Sequence, residues 1–391
     1  MSVNHAERDH AILSASGAHR WLVCTAAPSA EKGIEDKTSV YAEEGTFAHE
    51  LSELHFAHLY QGMSKRKFNS ELKKMKENEY YSDELHDYVK EYVELVQERI
   101  NEAKARAETQ PTLMFEERLD LSDYVPESFG TGDVVTFNGG VLEIIDLKFG
   151  KGIEVSAVGN PQLRLYALGA LSIFDMIEDV KEVIMTIIQP RLNNVSSDHM
   201  SVEELKQWGE NYVKPRAEKA WNGEGEFVPG EHCRFCKIKH TCRARAEANL
   251  NIPNKFKDPH LLSKEEISEV LFQADELQKW AKDVQDWALS KATDGAEFDG
   301  WKLVEGRSNR KYTDEDKIKE ILEQDYPKDK FVVEKVLPIS KLEKAIGKKT
   351  VEEILSDYIV KPPGKPTLVP ESDKRPALAV KAEDEFDEIK N

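Results

Sequence analysis

The chain has 391 residues, more than one average core takes, so two or three domains are expected. Hydrophobic residues make up 40% of it and charged residues 32%, with a formal net charge of −19. That charge argues against a protein that coats nucleic acid over its whole surface, but not against a nuclease, whose metal neutralises its own carboxylates and whose substrate needs only a local basic track. No apolar run is long enough to span a bilayer, and the N-terminus MSVNHAERDH lacks the apolar stretch of a secretory signal. A cytoplasmic protein with no membrane partner is expected.

In chain order, residues 1 to 30 place Ser14, Ser16, His19, Trp21 and Cys24 in a short helical segment. Taken alone, Cys24 reads as an ordinary buried cysteine. From Tyr41, the text YAEEGTFAHELSELHFAHLY reads as a helix after Gly45, with His49, His55 and His58 on it; His55 and His58 read as structural. Residues 65 to 76 read as a basic, polar connection. Ser82 then caps a helix to about Ala107, whose Leu85, Tyr88, Val89, Tyr92, Val93, Val96 and Ile100 form an apolar stripe.

The period changes next. Thr112 to Leu121, Asp133 to Phe137 and Val141 to Lys148 read as strands, the last two joined by Asn138-Gly139-Gly140, a strong hairpin signal. On the last strand Leu142, Ile144, Asp146 and Lys148 share one face, and Glu143 faces away. Asn160-Pro161 reads as a cap and first helical residue, with Gln162 and Tyr166 one turn apart on one face and Arg164 on another. The free N–H groups at that helix start suit a phosphate. VIMTIIQ, residues 183 to 189, forms a fourth apolar strand. The expected core is therefore α/β with a mixed sheet.

Ser201 with Glu204 opens a helix to about Trp221. Then Cys233, Cys236 and Cys242 fall in the most basic stretch of the chain, among Arg234, Lys237, Lys239, Arg243 and Arg245. With Cys24 these are the four cysteines of the protein, the right number for a tetrathiolate site, and a disulfide reading is disfavoured in a long chain without an export signal. Beyond them, Ser263 with Glu266 opens an amphipathic helix to about Lys291, a strand is expected over residues 298 to 305, and helices over Asp314 to Gln324 and Ile339 to Tyr358. The proline- and charge-rich end is expected to be disordered. The expected division is 1 to 250, including a helical insertion at about 60 to 110, then a mainly helical 251 to 361, then an acidic tail 362 to 391.

Two carboxylates and a lysine held on rigid strands are the parts needed to bind a divalent metal and activate water against a phosphodiester. Asp146-x-Lys148 alone would equally be a surface ion pair at a strand end; Asp133 on the neighbouring strand is what gives it weight. Glu116, Glu117 and Glu143 read as nearby carboxylates outside the ligand set.

Taken together, His49, Gly130-x-x-Asp133, Asp146-x-Lys148 and Gln162-x-x-x-Tyr166 resemble, in order and spacing, the RecB-like branch of the PD-(D/E)XK nuclease superfamily. The cysteine pattern resembles its iron-staple subset, the B subunit of AddAB helicase-nucleases and the CRISPR-associated RecB-like exonucleases. The match covers about residues 14 to 245; the C-terminal part resembles, less specifically, phage and prophage proteins. Asp146 stands where many relatives have glutamate.

The resemblance implies a restriction-endonuclease-like core with an N-terminal helical part and a separate C-terminal region. It implies that Asp133 and Asp146, the backbone carbonyl of Leu147 and His49 bind Mg2+ or Mn2+, and that Lys148 orients or activates the attacking water. Gln162 and Tyr166 are implied to position the DNA or brace Lys148. Cys24, Cys233, Cys236 and Cys242 are implied to hold a structural [4Fe-4S] cluster; their spacing by itself serves Zn2+ equally. The expected activity is a metal-dependent DNA exonuclease of phage recombination or DNA processing, acting on single-stranded or duplex ends, with a recombination protein as candidate partner. The rivals are a non-catalytic DNA-binding or assembly module that keeps fold and cluster, and a zinc-stabilised interaction protein.

Overall fold

The computed structural model describes residues 11–35, 40–174, 179–251, 263–302, 304, 315–322, 327 and 338–359. The chain divides into two compact units, Met1–Ala288 and Leu289–Asn391. The expected acidic tail and most of the expected strand's far end lie outside the described residues.

The first unit is built on five strands, β1 (Thr112–Asp120), β2 (Phe129–Asn138), β3 (Val141–Leu147), β4 (Glu182–Gln189) and β5 (Asn194–Ser201). They lie in that order, with β3 and β4 parallel and the other neighbours antiparallel. The sheet is thus mixed, as expected of an α/β fold. Gly139 and Gly140, at φ +60 and +79, form the two-residue turn between β2 and β3, a conformation that favours glycine at both positions. Before the sheet come α1 (Ala18–Trp21), α2 (Ala27–Glu31), α3 (Val40–Tyr60), α4 (Lys65–Met75) and α5 (Asp83–Arg106). After β3 comes α6 (Pro161–Phe174), and after β5 a helical stretch, α7 (Val202–Trp208) and α8 (Lys214–Asn222), joined by a π-helical turn at Gly209–Val213.

Helices cover both faces. On one, α6 packs on Leu142, Ile144, Met185 and Ile187; on the other, α3 and α5 pack on Val134, Ile145, Leu147 and Ile188. Each such fully buried aliphatic side chain contributes roughly 1.5–3 kcal/mol of transfer free energy, so the two cores fix which strand residues face which helix. Glu143 faces α5, away from Asp146, as strand alternation requires. There it is fully buried, ion-paired with Arg99 at 2.7 Å and Arg106 at 3.2 Å, and accepts from the Thr186 hydroxyl.

Five local features differ from the sequence reading. Residues 65 to 75 form a helix rather than a connection: Ser64 accepts from the Lys67 N–H, and Phe68, Leu72 and Met75 pack on the core of α3 and α5. α3 passes through Gly45 rather than starting after it. β5 is an additional, polar edge strand, and the described residues around Phe298 to Lys302 form a turn with no strand. The helix expected over Ile339 to Tyr358 is broken at Gly347, φ +90, into Ile339–Ile346 and Lys348–Leu355.

The cysteine-rich segment folds back on the N-terminal helices. The Arg20 guanidinium donates to the Phe235 carbonyl at 2.8 Å and pairs with Glu31 at 2.9 Å, and buried Glu31 accepts from the Lys237 N–H. Further on, Arg245 of α9 (Arg243–Leu250) is 1% exposed and paired with Glu276 and Asp283, both at 2.7 Å. Those acids lie on α10 (Lys264–Thr293), so its part up to Ala288 packs in the first unit with the cysteine segment. Of the described helices none is long and apolar enough to cross a membrane.

Candidate metal centre

The β1–β2 ribbon turns over at one transverse row. Phe115 stacks on Phe56 and Tyr60 of α3, yet Leu119, of the same strand parity, lies under Gly169 of α6. On β2, Val134 belongs to the α5 side, while a Cβ on Gly130 would stand 2.4 Å from the Tyr166 ring of α6. Glu116, at φ +51, is the residue about which β1 turns, and it is the one position skipped in the β1–β2 ladder. A side chain held in that left-handed region costs of order 1–3 kcal/mol, which the packing on either side sustains.

Continuing the ladders on either side by one residue sets Glu116 opposite Asp133 and Asp133 opposite Asp146. Three carboxylates on three adjacent strands therefore meet where the ribbon turns. One oxygen of Asp133 accepts from the Leu147 N–H at 2.7 Å; the other stands 3.4 Å from His49 Nδ1, and Glu116 Oε1 stands 3.9 Å from the same nitrogen. Among the described residues, His49, Glu116 and Asp133 are the group of metal-ligating side chains whose donor atoms all lie within 4.8 Å of one another.

Asp146 is buried at the end of β3. Its Oδ1 accepts from Gln162 Nε2 at 3.3 Å. The Lys148 ammonium is 2.9 Å from Oδ2 but not aligned as a hydrogen bond, so that buried oxygen has a charged neighbour and no donor aimed at it. Lys148 donates instead to Gln162 Oε1 at 2.9 Å, and Gln162 donates to the Tyr166 hydroxyl at 3.1 Å. Asn160 caps α6 by accepting from the Gln162 and Leu163 N–H groups, which orients the helix start toward the row. A cleft of about 300 Å3 opens here, lined by His49, Glu116, Asp133, Asp146, Lys148, Gln162 and Tyr166, with Ser14, Ser16 and Thr46 on its other walls and Phe129, Gly130 and Thr131 toward the ribbon's end.

The charges are mutually dependent. Burial opposes ionisation of His49, but Asp133, which it hydrogen-bonds, with Glu116 and Asp146, raises its pKa from 6.5 to about 9. Burial would raise Asp133, yet His49, the Leu147 N–H and Lys148 outweigh it and hold the acid below its ordinary value. At Asp146 burial wins over Lys148, and the pKa is raised. In metal-free protein the His49 contribution to stability is thus fully present below pH 6.5 and lost as pH rises through about 9. Urea unfolding of wild type and His49→Gln in chelator should differ most at the acid end, the gap closing by on the order of 3 kcal/mol across that window. A gap independent of pH would contradict it.

All five residues singled out on the strands and α6, together with His49, meet in this cleft, and Leu147 is tied to it by its N–H, which donates to Asp133. Three contributors are not legible as such in the sequence. Glu116 is one, which reads there only as a nearby acid. Tyr92 of α5, which reads as core, is fully buried with its hydroxyl unpartnered, and its pKa is raised by burial and by Asp133, Glu116 and Asp146. Gln189, at the end of β4, donates to the Gly150 and Ile153 carbonyls and accepts from the Val155 N–H, fixing the loop after Lys148. A buried polar residue ending an apolar strand is the available signal.

Gly130 is required by the close approach of Tyr166. Gly130→Ala should cost about 1–3 kcal/mol, read by thermal unfolding, because the added Cβ would stand 2.4 Å from the Tyr166 ring and force it to move.

The four cysteines, unpaired by disulfides, line one cavity with Arg20, Phe227, Val228 and Ile238. Cys24 Sγ accepts from the Val228 N–H at 3.5 Å and Cys233 Sγ from the Gly230 N–H at 3.4 Å. Burial, with Glu31 nearby, pushes the Cys236 thiol up to about 12.

Comparison with known proteins gives this cleft and cavity a family. The model of the family described as "Protein of unknown function (DUF2800)" matches residues 10–376. The chain belongs to the DUF2800 family. That match spans both the cleft and the cysteine cavity of this DUF2800 protein, and continues into the second unit. The crystal structure of SSO0001 is similar at 12% identity over 58% of this chain and 96% of that one, with a TM-score of 0.23.

Proposed function

We propose that the protein is a metal-dependent deoxyribonuclease of the RecB-like PD-(D/E)XK type that removes nucleotides from DNA ends. The observation that carries the reading is the carboxylate row Glu116, Asp133 and Asp146 with Lys148 beside it, in an open cleft. The donor set fits a hard divalent ion: carboxylate oxygens with one imidazole suit Mg2+ or Mn2+, and the buried Asp146 Oδ2, ion-paired with Lys148 but without an aligned donor, keeps a lone pair for it. His49, Asp133, Asp146 and the Leu147 carbonyl would hold the ion, with Glu116 adjacent. Bound there, it supplies Lewis-acid polarisation of a phosphoryl oxygen and a more acidic water.

The chain's own residues do the rest. The Lys148 ammonium, steered by Gln162 Oε1, would stabilise the negative charge that develops on the phosphate. Gln162, held by the Tyr166 hydroxyl, fixes that lysine and Asp146 together. The raised His49 pKa means that the imidazole must release its proton to become a ligand, so ion affinity should rise with pH toward about 9.

For the cysteines the same reading takes a [4Fe-4S] cluster. A single zinc in a thiolate tetrahedron brings sulfurs to about 3.8 Å of one another. No three of these four, all among the described residues, lie within 4.8 Å, although they share one cavity. A cluster, whose irons sit at separate corners, takes thiolates at wider spacing.

The deciding experiment is digestion of end-labelled single-stranded and duplex DNA by anaerobically prepared protein with Mg2+ and Mn2+ separately. Progressive release of the label is expected. Intact DNA with folded, metal-loaded protein would overturn the reading.

A further inference from the structure

Beyond the row, the β1–β2 ribbon carries a second feature that the carboxylates and Lys148 do not use. The Arg118 guanidinium lies over the Phe129 ring, 3.6 Å from its centroid. Arg118 is exposed, and among the described residues it has no ion pair or hydrogen bond. Asp120 is the acid that feels its charge, and the Asp120 carboxylate is taken by the N–H and hydroxyl of Ser122. Stacking on an aromatic face removes rotamer freedom from the side chain while leaving all five N–H donors open, the arrangement suited to a phosphate fork.

Its place is equally specific. Phe129 and Thr131, the cross-strand partner of Arg118, both line the cleft. Arg118 is two residues along β1 from Glu116, so it stands about 7 Å from the row by strand rise. That is on the order of one nucleotide step along an extended strand. The cleft's floor carries Glu116, Asp133 and Asp146 beside Lys148 and His49, so a further cation at the mouth favours the approach of a polyanion.

We infer that Arg118, held on Phe129, binds the phosphate next to the one cleaved and so fixes the path of a nucleic-acid strand over the β1–β2 ribbon. The inference rests on the nuclease reading for what is cleaved, but binding is measurable without cleavage. Arg118 is a binding residue: its loss weakens capture of the strand and leaves the carboxylates in place.

The test is fluorescence anisotropy of a labelled oligothymidylate with the full chain in chelator, over a range of salt. For wild type, Arg118→Gln, Arg118→Lys and Phe129→Leu, thermal unfolding is recorded alongside. Arg118→Gln should weaken binding about fivefold to tenfold and lower the slope of log affinity against log salt by about 0.7, the share of one single-strand phosphate contact. Arg118→Lys should restore the slope but not the full affinity, and Phe129→Leu should keep the slope while weakening binding, because the guanidinium loses its platform. An Arg118→Gln protein of wild-type stability with unchanged affinity and slope overturns the inference, as does a wild type that does not bind the oligonucleotide. If the altered slope appears in a protein that never cleaves DNA, the nuclease reading fails and this site stands. Cleavage that depends on Asp146 with a slope indifferent to Arg118 means the reverse: the nuclease reading stands and this site fails.

Discussion

Asp146→Asn is expected to abolish metal-dependent cleavage, by on the order of a thousandfold or more, without weakening the metal-free fold. The two halves of that result come from the same physics. Asp146 is buried, its pKa is raised by that burial, and one of its oxygens has no aligned donor. A carboxyl whose folded pKa lies above its unfolded value costs stability once pH exceeds the unfolded value, so at neutral pH the charge is a burden in the metal-free state. The isosteric amide removes the charge and keeps the contact with Gln162. Lys148, left without its ion-pair partner, retains Gln162 Oε1 and partial solvation. Metal-free Asp146→Asn should therefore unfold at the wild-type temperature or above it. Wild type should gain about 2.7 kcal/mol at a hundredfold excess of Mn2+ over its Kd, and the variant should gain little. Differential scanning calorimetry with and without Mn2+ reads both halves. An Asp146→Asn protein that still cleaves, or that loses its fold in chelator, would remove Asp146 from the role assigned to it.

The site is legible in the sequence where its geometry is local. Asp133 and Asp146 lie on strands joined by a two-glycine turn, with Lys148 just past the second, so register alone sets the acids opposite one another; Gln162 and Tyr166 follow behind an Asn-Pro cap. What is not legible depends on contacts distant in the chain. Glu116 belongs to the row because β1 rotates there to satisfy α3 on one side and α6 on the other, and neither helix is visible in the text of residues 112 to 120. The hydroxyl of Tyr92 differs from that of any other stripe tyrosine by what surrounds it, not by its spacing. Among the fold elements, α4 escapes a sequence reading because its apolar residues are three among eleven and find their partners on α3 and α5. β5 escapes it because its polar side chains are those of an edge, held by the β4 ladder and by contacts such as Thr186 with Ser197. The helix through Ala288 is expected from its periodicity, but its attachment to the cysteine segment depends on Arg245, whose basic neighbourhood reads as a solvated face.

Removing the cysteine site should change stability more than any single contact at the cleft. Cys24 and Cys233 face one cavity from positions about 200 residues apart, and closing a loop of that length removes about 5 kcal/mol of entropy from the unfolded chain. Other ties between the same segments, among them Arg20 to Phe235, Glu31 to Lys237, Thr25 to Glu226 and Lys237 to Ile34, are hydrogen bonds contributing about 1 kcal/mol each. They can align the ends but cannot replace a covalent clamp. Cys233→Ser should therefore lower the unfolding temperature of the anaerobically purified protein by about 10 °C or more, and bleach the broad visible absorption that a [4Fe-4S] cluster gives. The same loss should follow iron chelation of the wild type, which separates the clamp from any packing effect of the serine. A colourless wild type with one zinc per chain would replace the cluster with the tetrahedral ion. Unfolding that is unchanged by both the substitution and the chelator would mean that hydrogen bonds and packing alone hold the cysteine segment to the N-terminal helices.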